Sequence, residues 1–293
     1  MLLGAARYLS EHGAFDGCVV FIFQPAEERG GGAKVMIEDG LFANFPVEAV
    51  FGLHNWPGIP AGHFGVTDGP IMASSNEFRV DVSGVGSHAA LPQNGRDPVF
   101  CTVQIANALQ GIVTRLKDPA DTAVLSITHI QAGDAPNVVP DHAWLGGTVR
   151  AFSSNTLDLI ESKMRQISQG IAQGFECTVD VTFHRNCPAT INTSTETRIA
   201  TQAMEAVVGR SNVIADVAPT MGSEDFAHML NVKPGCYAFI GNDNGDAREI
   251  GHGPGPCVLH NASYDFNDDI LPVGSTYWVR LVESILPIDG TEK

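Results

Sequence analysis

The stretch VVFIFQPAEERGGG, residues 19–32, decides how the rest of the chain is read. Its five leading apolar residues, extended backwards by Cys18, predict a strand covered on both faces and therefore central in its sheet, since alternation is expected only where one face meets water. Pro25 removes a ladder donor and predicts the strand's end. Glu27 and Glu28 then fall at a carboxyl edge, where open α/β sheets gather their ligand sites. Adjacent side chains project in different directions, so one carboxylate can hold a metal while its neighbour moves a proton. The glycines beyond them permit close backbone approach. A solvated loop start is the competing reading of two neighbouring glutamates.

Working outward, residues 1–73 alternate helix and strand: helix over 2–11, strand over 18–23, helix over 32–39 and a short strand over 49–53. Such alternation predicts a parallel sheet with covering helices. From residue 74 the pattern changes to period-two strands. FRVDVSG, a helix over 97–116, AVLSITHIQA, HAWLGGTVRA, a helix over 155–173 and CTVDVTFH give the order β-α-β-β-α-β of ferredoxin-like split βαβ domains. After residue 186 the chain returns to alternation, with a helix over 195–208, the polar loop MGSEDF, the strand CYAFIG and a helix over 274–286. The expected class is α/β, with a discontinuous domain of residues 1–73 and 187–293 interrupted by an inserted domain of residues 74–186. Insertion of a domain at a surface loop is tolerated by a fold.

Of the 293 residues, 44% are hydrophobic and 17% charged, the profile of a chain that builds a core by itself. Lys and Arg total 17 against 33 Asp and Glu, a net charge of -16. That field repels polyanions and argues against nucleic acid or an anionic membrane as partner. The six cysteines are scattered without a C-x-x-C pair, which fits a reducing compartment. No apolar run approaches the roughly 20 residues of a membrane span, and the N-terminus lacks a signal-peptide pattern, so the expected location is the cytoplasm.

Two histidines repeat the arrangement of the glutamates. His54 in GLHNWPG follows the apolar AVFGL, and His260 in VLHNASYDFND follows another short apolar run. Each taken alone is more often a structural histidine. Imidazole and carboxylate together suit Zn, Mn, Co or Ni, with Asp265 or Asp268 available to orient a ring nitrogen. The other histidines carry no motif, although His252 in GHGPGP is close in sequence to His260.

In order along the chain, QPAEERGGGAKVMIEDGLF, GLHNWP, GVGSHAALPQNGRDPV, NVVPDHAWLGGTVRAF, MGSEDFA and LHNASYDFNDD resemble the amidohydrolase branch of the M20 metallopeptidase family. That branch includes hippurate hydrolases, N-acyl-amino-acid deacylases and the indole-acetyl-amino-acid hydrolases. The resemblance implies a mixed-sheet, zinc-peptidase-like catalytic domain with an inserted βαββαβ dimerisation or lid domain. It implies a homodimer or homotetramer assembled through that insert, acting on small N-acyl or N-aroyl amino acids. It makes Glu27 the general base, and Glu28, His54 and His260 ligands of a site for two divalent ions. It assigns His88, in SHAALP, to the tetrahedral oxyanion, from the partner subunit in related enzymes. A loop histidine capping a turn is the alternative there. Asn137 and Arg150 match positions that hold the substrate's carbonyl or carboxylate, and an ion pair on the strand surface is the alternative for Arg150. Ser223, Glu224 and Asp225 of MGSEDF are expected in supporting roles near the cleft.

One family motif, H-x-C-G-H-D-x-H with its Cys and His ligands, is absent, and Met1 aligns with an internal methionine just past it. The resemblance therefore implies an N-terminally truncated catalytic domain that holds one ion or none and has little activity alone. A non-catalytic, dimerising or ligand-binding remnant of the family is the alternative, and an aminopeptidase of the same superfamily is a third.

Overall fold

The computed structural model describes residues 1–29, 31–243, 259–262 and 264–288. In chain order its elements begin with α1 (Leu2–His12), α2 (Gly32–Glu38), α3 (Leu41–Asn44), β1 (Val50–Pro60), β2 (Phe64–Gly65), β3 (Gly69–Met72) and β4 (Ser75–Ser83). Next come β5 (Ser87–His88), α4 (Pro98–Gly111), β6 (Ala123–Ala132), β7 (Val138–Val139), β8 (His142–Ala151), α5 (Ser154–Gly174) and β9 (Thr178–Cys187). Last are β10 (Thr190–Asn192), α6 (Ser194–Val208), β11 (Val213–Ile214), α7 (Ala227–Leu230), β12 (Gly235–Asp243) and α8 (Leu271–Ile285). The chain divides into two units: Met1–Ile71 with Thr190–Thr220 and Asp225–Lys293, and Met72–Ala189 with Met221–Glu224.

The first unit is organised by β12, whose residues from Gly235 to Asn242 are all buried. It lies between β1, which it pairs in parallel, and β2, which it pairs antiparallel, in a mixed sheet of order β1-β12-β2-β11. Phe64, Ile240, Met204 of α6 and Tyr277 of α8 form the core on one side. Ala5 and Leu9 of α1 pack with Val279 of α8 in a second cluster. No helix among the described residues is long and apolar enough to cross a membrane.

Residues 18–23 do not form the expected central strand. Among the described residues no strand pairs with them, Phe23 is exposed, and Phe21 packs against the α1–α8 cluster. A ladder needs hydrogen-bonding neighbours on both sides to be central, and β12 is the apolar run that has them. Hydrophobicity alone does not distinguish the two runs.

The second unit is an antiparallel sheet of order β6-β8-β4-β9. Along β4 the buried residues Phe78, Val80 and Val82 alternate with exposed Glu77 and Arg79, as a strand with one covered face requires. The covered face meets α4 and α5 through Ile105, Leu109, Ile160 and Met164. Asp97 starts α4 by accepting from the amides of Val99 and Phe100 at 2.8 and 3.1 Å. Two short strands, β5 and β7, pair separately.

Candidate active site

Glu27 and Glu28 share a single 3₁₀ turn, Glu27–Arg29. The turn is entered through Ala26, whose φ of 55° lies in the left-handed region that a side chain disfavours. It is left through Gly32, where a Cβ would stand 1.6 Å from the Pro25 carbonyl oxygen. Only glycine lets α2 begin against the chain that has just entered the turn. Asp225, 2% exposed, closes the loop: its carboxylate accepts from the Ala33 amide at 3.0 Å and from Gln24 Nε2. One buried side chain thereby ties together the segments before and after the two glutamates. A carboxylate oxygen of Glu27 lies within 4.8 Å of one on Asp225.

His54 is inside β1, opposite Phe239, and not beyond the strand's end as expected. The ladder continues because β12 offers partners as far as Gly241 for Trp56 and Asp243 for Pro60. The His54 ring meets Trp56 edge-on at 5.8 Å, and Trp56 stacks on Phe239 at 4.2 Å. His54 Nδ1 lies 2.5 Å from the carbonyl oxygen of Asn55. A carbonyl only accepts, so Nδ1 carries the proton and Nε2 keeps its lone pair. That tautomer leaves Nε2 available to a metal.

His260 also has a left-handed backbone, φ 64°. Its Nδ1 is 3.6 Å from Glu28 Oε2, both side chains being largely exposed. Four residues on, the Tyr264 hydroxyl donates to Asn55 Oδ1, next to His54. Burial pushes the Tyr264 phenol above its ordinary range, which keeps it the donor. Nothing local in the sequence signals this link between the His54 strand and the His260 segment. His252 lies outside the described residues.

In the second unit His88 ends β5 and pairs with Val138 of β7. The Ala90 amide donates to His88 Nδ1 at 3.1 Å, so the ring proton is on Nε2. The Ala89 amide donates to the Asn137 carbonyl at 3.0 Å, which makes His88 and Asn137 near neighbours. Arg150, near the end of β8, donates from Nη1 to Ser223 Oγ at 3.1 Å. Among the described residues it forms no ion pair.

The donor set can be tested against a metal by length. Bonds of about 2.1 Å in a tetrahedral shell put neighbouring donors roughly 3.4 Å apart. The 3.6 Å between Glu28 Oε2 and His260 Nδ1 fits such an edge, and a carboxylate with an imidazole is chemistry suited to Zn or Mn; among the described residues His54 is not brought within 4.8 Å of both.

A family model described as Peptidase family M20/M25/M40 matches residues 1–284. The chain is 38% identical over 280 residues to the hippurate hydrolase of Campylobacter jejuni, covering 96% of this chain and 70% of that protein. It is 35% identical to the N-acetylcysteine deacetylase of Bacillus subtilis, covering 97% of this chain and 71% of that one. The solved structure of a dinuclear metal-binding M20 peptidase from Bacillus subtilis superposes with a TM-score of 0.79 at 30% identity, over 97% of this chain and 70% of that chain.

Proposed function

The chain belongs to the M20/M25/M40 peptidase family, and from that premise we propose that it is a metal-dependent amidohydrolase of N-acyl or N-aroyl amino acids. The products are a carboxylate and a free amino acid. The observation that carries the reading is the approach of Glu28 and His260, drawn from opposite ends of the sequence to a metal-edge separation of 3.6 Å. The named activities of the two relatives support the same substrate class.

Glu28, His54 and His260 are the residues that would hold divalent ions, Mn, Zn, Co or Ni, of which the family site takes two. When bound, such ions polarise an amide carbonyl and acidify a water. Glu27 takes a proton from the attacking water and returns it to the leaving nitrogen. His88, protonated on Nε2, donates to the oxyanion from the insert of a second copy of the chain. Arg150 forks the substrate's carboxylate, as a planar guanidinium does well, and Asn137 holds its carbonyl. The ordering of the Glu27–Glu28 turn by Asp225 supports a division of labour between the two carboxylates.

A homodimer or homotetramer would form through residues 74–186, where the edge strand β6 presents Ile130, 55% exposed. The cytoplasm suits the free thiols of Cys18, Cys101, Cys177 and Cys236. The test is hydrolysis of hippurate by metal-loaded protein beside the Glu27→Gln variant. Loss of the base should lower kcat about 100- to 10,000-fold. Undiminished turnover would remove Glu27 from the mechanism.

A further inference from the structure

Arg150 sits where a ladder normally frays, one residue from the end of β8. On one side β6 still pairs with it through Val124, and on the side of β4 its two flanking peptide groups are held by side chains. Asn76 Nδ2 donates to the Val149 carbonyl at 3.0 Å, fixing the peptide on the N-terminal side of Arg150. Ser74 Oγ accepts from the Ala151 amide at 3.3 Å, fixing the peptide on the C-terminal side. The same hydroxyl donates to the Ala151 carbonyl at 2.9 Å and accepts from Asn76 Nδ2 at 3.0 Å. A hydroxyl has one proton and two lone pairs, so Ser74 is fully used and the two side chains act as one device.

The orientation of those two peptide planes sets φ and ψ of Arg150, and hence the direction in which its side chain leaves the strand. Its far end is held by Ser223, whose loop is bound to the same unit through the Ala73 amide, donating to Gly222 O at 2.9 Å. Asn76 is wholly buried and, among the described residues, its Oδ1 has no hydrogen-bond partner. A buried unpaired carbonyl is destabilising, and an apolar residue of the same size would avoid it. What the amide supplies in return is the grip on Val149 and Ser74.

We propose that Ser74 and Asn76 are positioning residues that pin the backbone of Arg150 and so aim its guanidinium at the carboxylate of the substrate. This rests on the reading of Arg150 given above. The clamp itself is tested by hydrogen exchange in the full chain. Ser74→Ala should speed exchange of the Ala151 amide at least about tenfold, one lost hydrogen bond's worth, with the Val80 and Leu145 amides unchanged. Ser74→Thr, which keeps the hydroxyl, should restore slow exchange. An unchanged Ala151 amide, or acceleration across the whole sheet, overturns the clamp.

Its consequence for ligand is read by calorimetry with hippurate and with hippuramide, which lacks the carboxylate. Ser74→Ala should weaken hippurate about tenfold and hippuramide under twofold, and equal weakening overturns the aiming role. If Arg150→Ala itself treats the two ligands alike, the assignment of Arg150 to the carboxylate fails, and exchange at Ala151 still decides the clamp. Asn76→Ala should reproduce the Ser74→Ala pattern if it folds, and the Ser74 variants decide the matter if it does not.

Discussion

His54 and His88 are the same side chain held in opposite tautomers, and one backbone group makes the difference in each case. In β1 the partner of Nδ1 is a carbonyl, that of Asn55, so the proton is on Nδ1 and Nε2 is left as a lone pair. In the loop after β5 the partner of Nδ1 is an amide, that of Ala90, so the proton is on Nε2. The first arrangement prepares an imidazole to bind a cation, the second to donate to an anion. Residue type is silent on this distinction, and local backbone geometry decides it.

Substitution should separate the two roles in opposite directions. His88→Ala is expected to lower kcat about 100- to 1000-fold with metal affinity unchanged, whereas His54→Ala should reduce metal affinity measured by calorimetry; matching losses in both quantities would erase the contrast. Asp225→Ala leaves the Ala33 amide and Gln24 unpaired at a buried position and should cost about 1–3 kcal/mol, read from denaturant unfolding. A cost near zero would mean that the loop holding Glu27 and Glu28 does not depend on it. Tyr264→Phe removes the donor to Asn55 and should weaken metal binding roughly tenfold, the lower end of what losing an outer hydrogen bond does.

The smallest effect concerns pH. The Arg79 guanidinium, 2.8 Å from both Asp81 oxygens, holds that carboxyl below its usual range. A depressed folded pKa gives stability that is present above the unfolded value of 3.8 and lost as pH falls through the folded one. The pair is partly exposed and screened by solvent, so its worth is small. Asp81→Asn should flatten the melting temperature's fall on acidification below about pH 4, and an identical acid slope in the variant would remove Asp81 from the account.

The parts of the fold that were legible are those with a repeating pattern. Phe78, Val80 and Val82 announce β4 by alternation, and the order β4-α4-β6-β8-α5-β9 follows from its neighbours. Residues 18–23 and β12 are equally apolar runs, and the choice between them is made by pairing, which a single sequence does not carry. His54 looked terminal because the apolar run AVFGL stops at Leu53, yet β12 is long enough to carry β1 on to Pro60. Strands of two or three residues such as β2, β7 and β11 have no period to read. The proposed site residues Glu27, Glu28, His54 and His260 were visible as polar groups after apolar runs. The long-range supports were not: Asp225 reaches Ala33, beside the Glu27–Glu28 turn, across 192 positions, and Ser74 reaches Ala151, beside Arg150, across 77.

The central claim, that backbone partners set the two histidines to complementary tasks, is tested most directly by imidazole ¹⁵N chemical shifts in the metal-free protein at neutral pH. The expected spectrum has His54 protonated on Nδ1 and His88 protonated on Nε2. Both rings in one tautomer, or the assignments reversed, would contradict it.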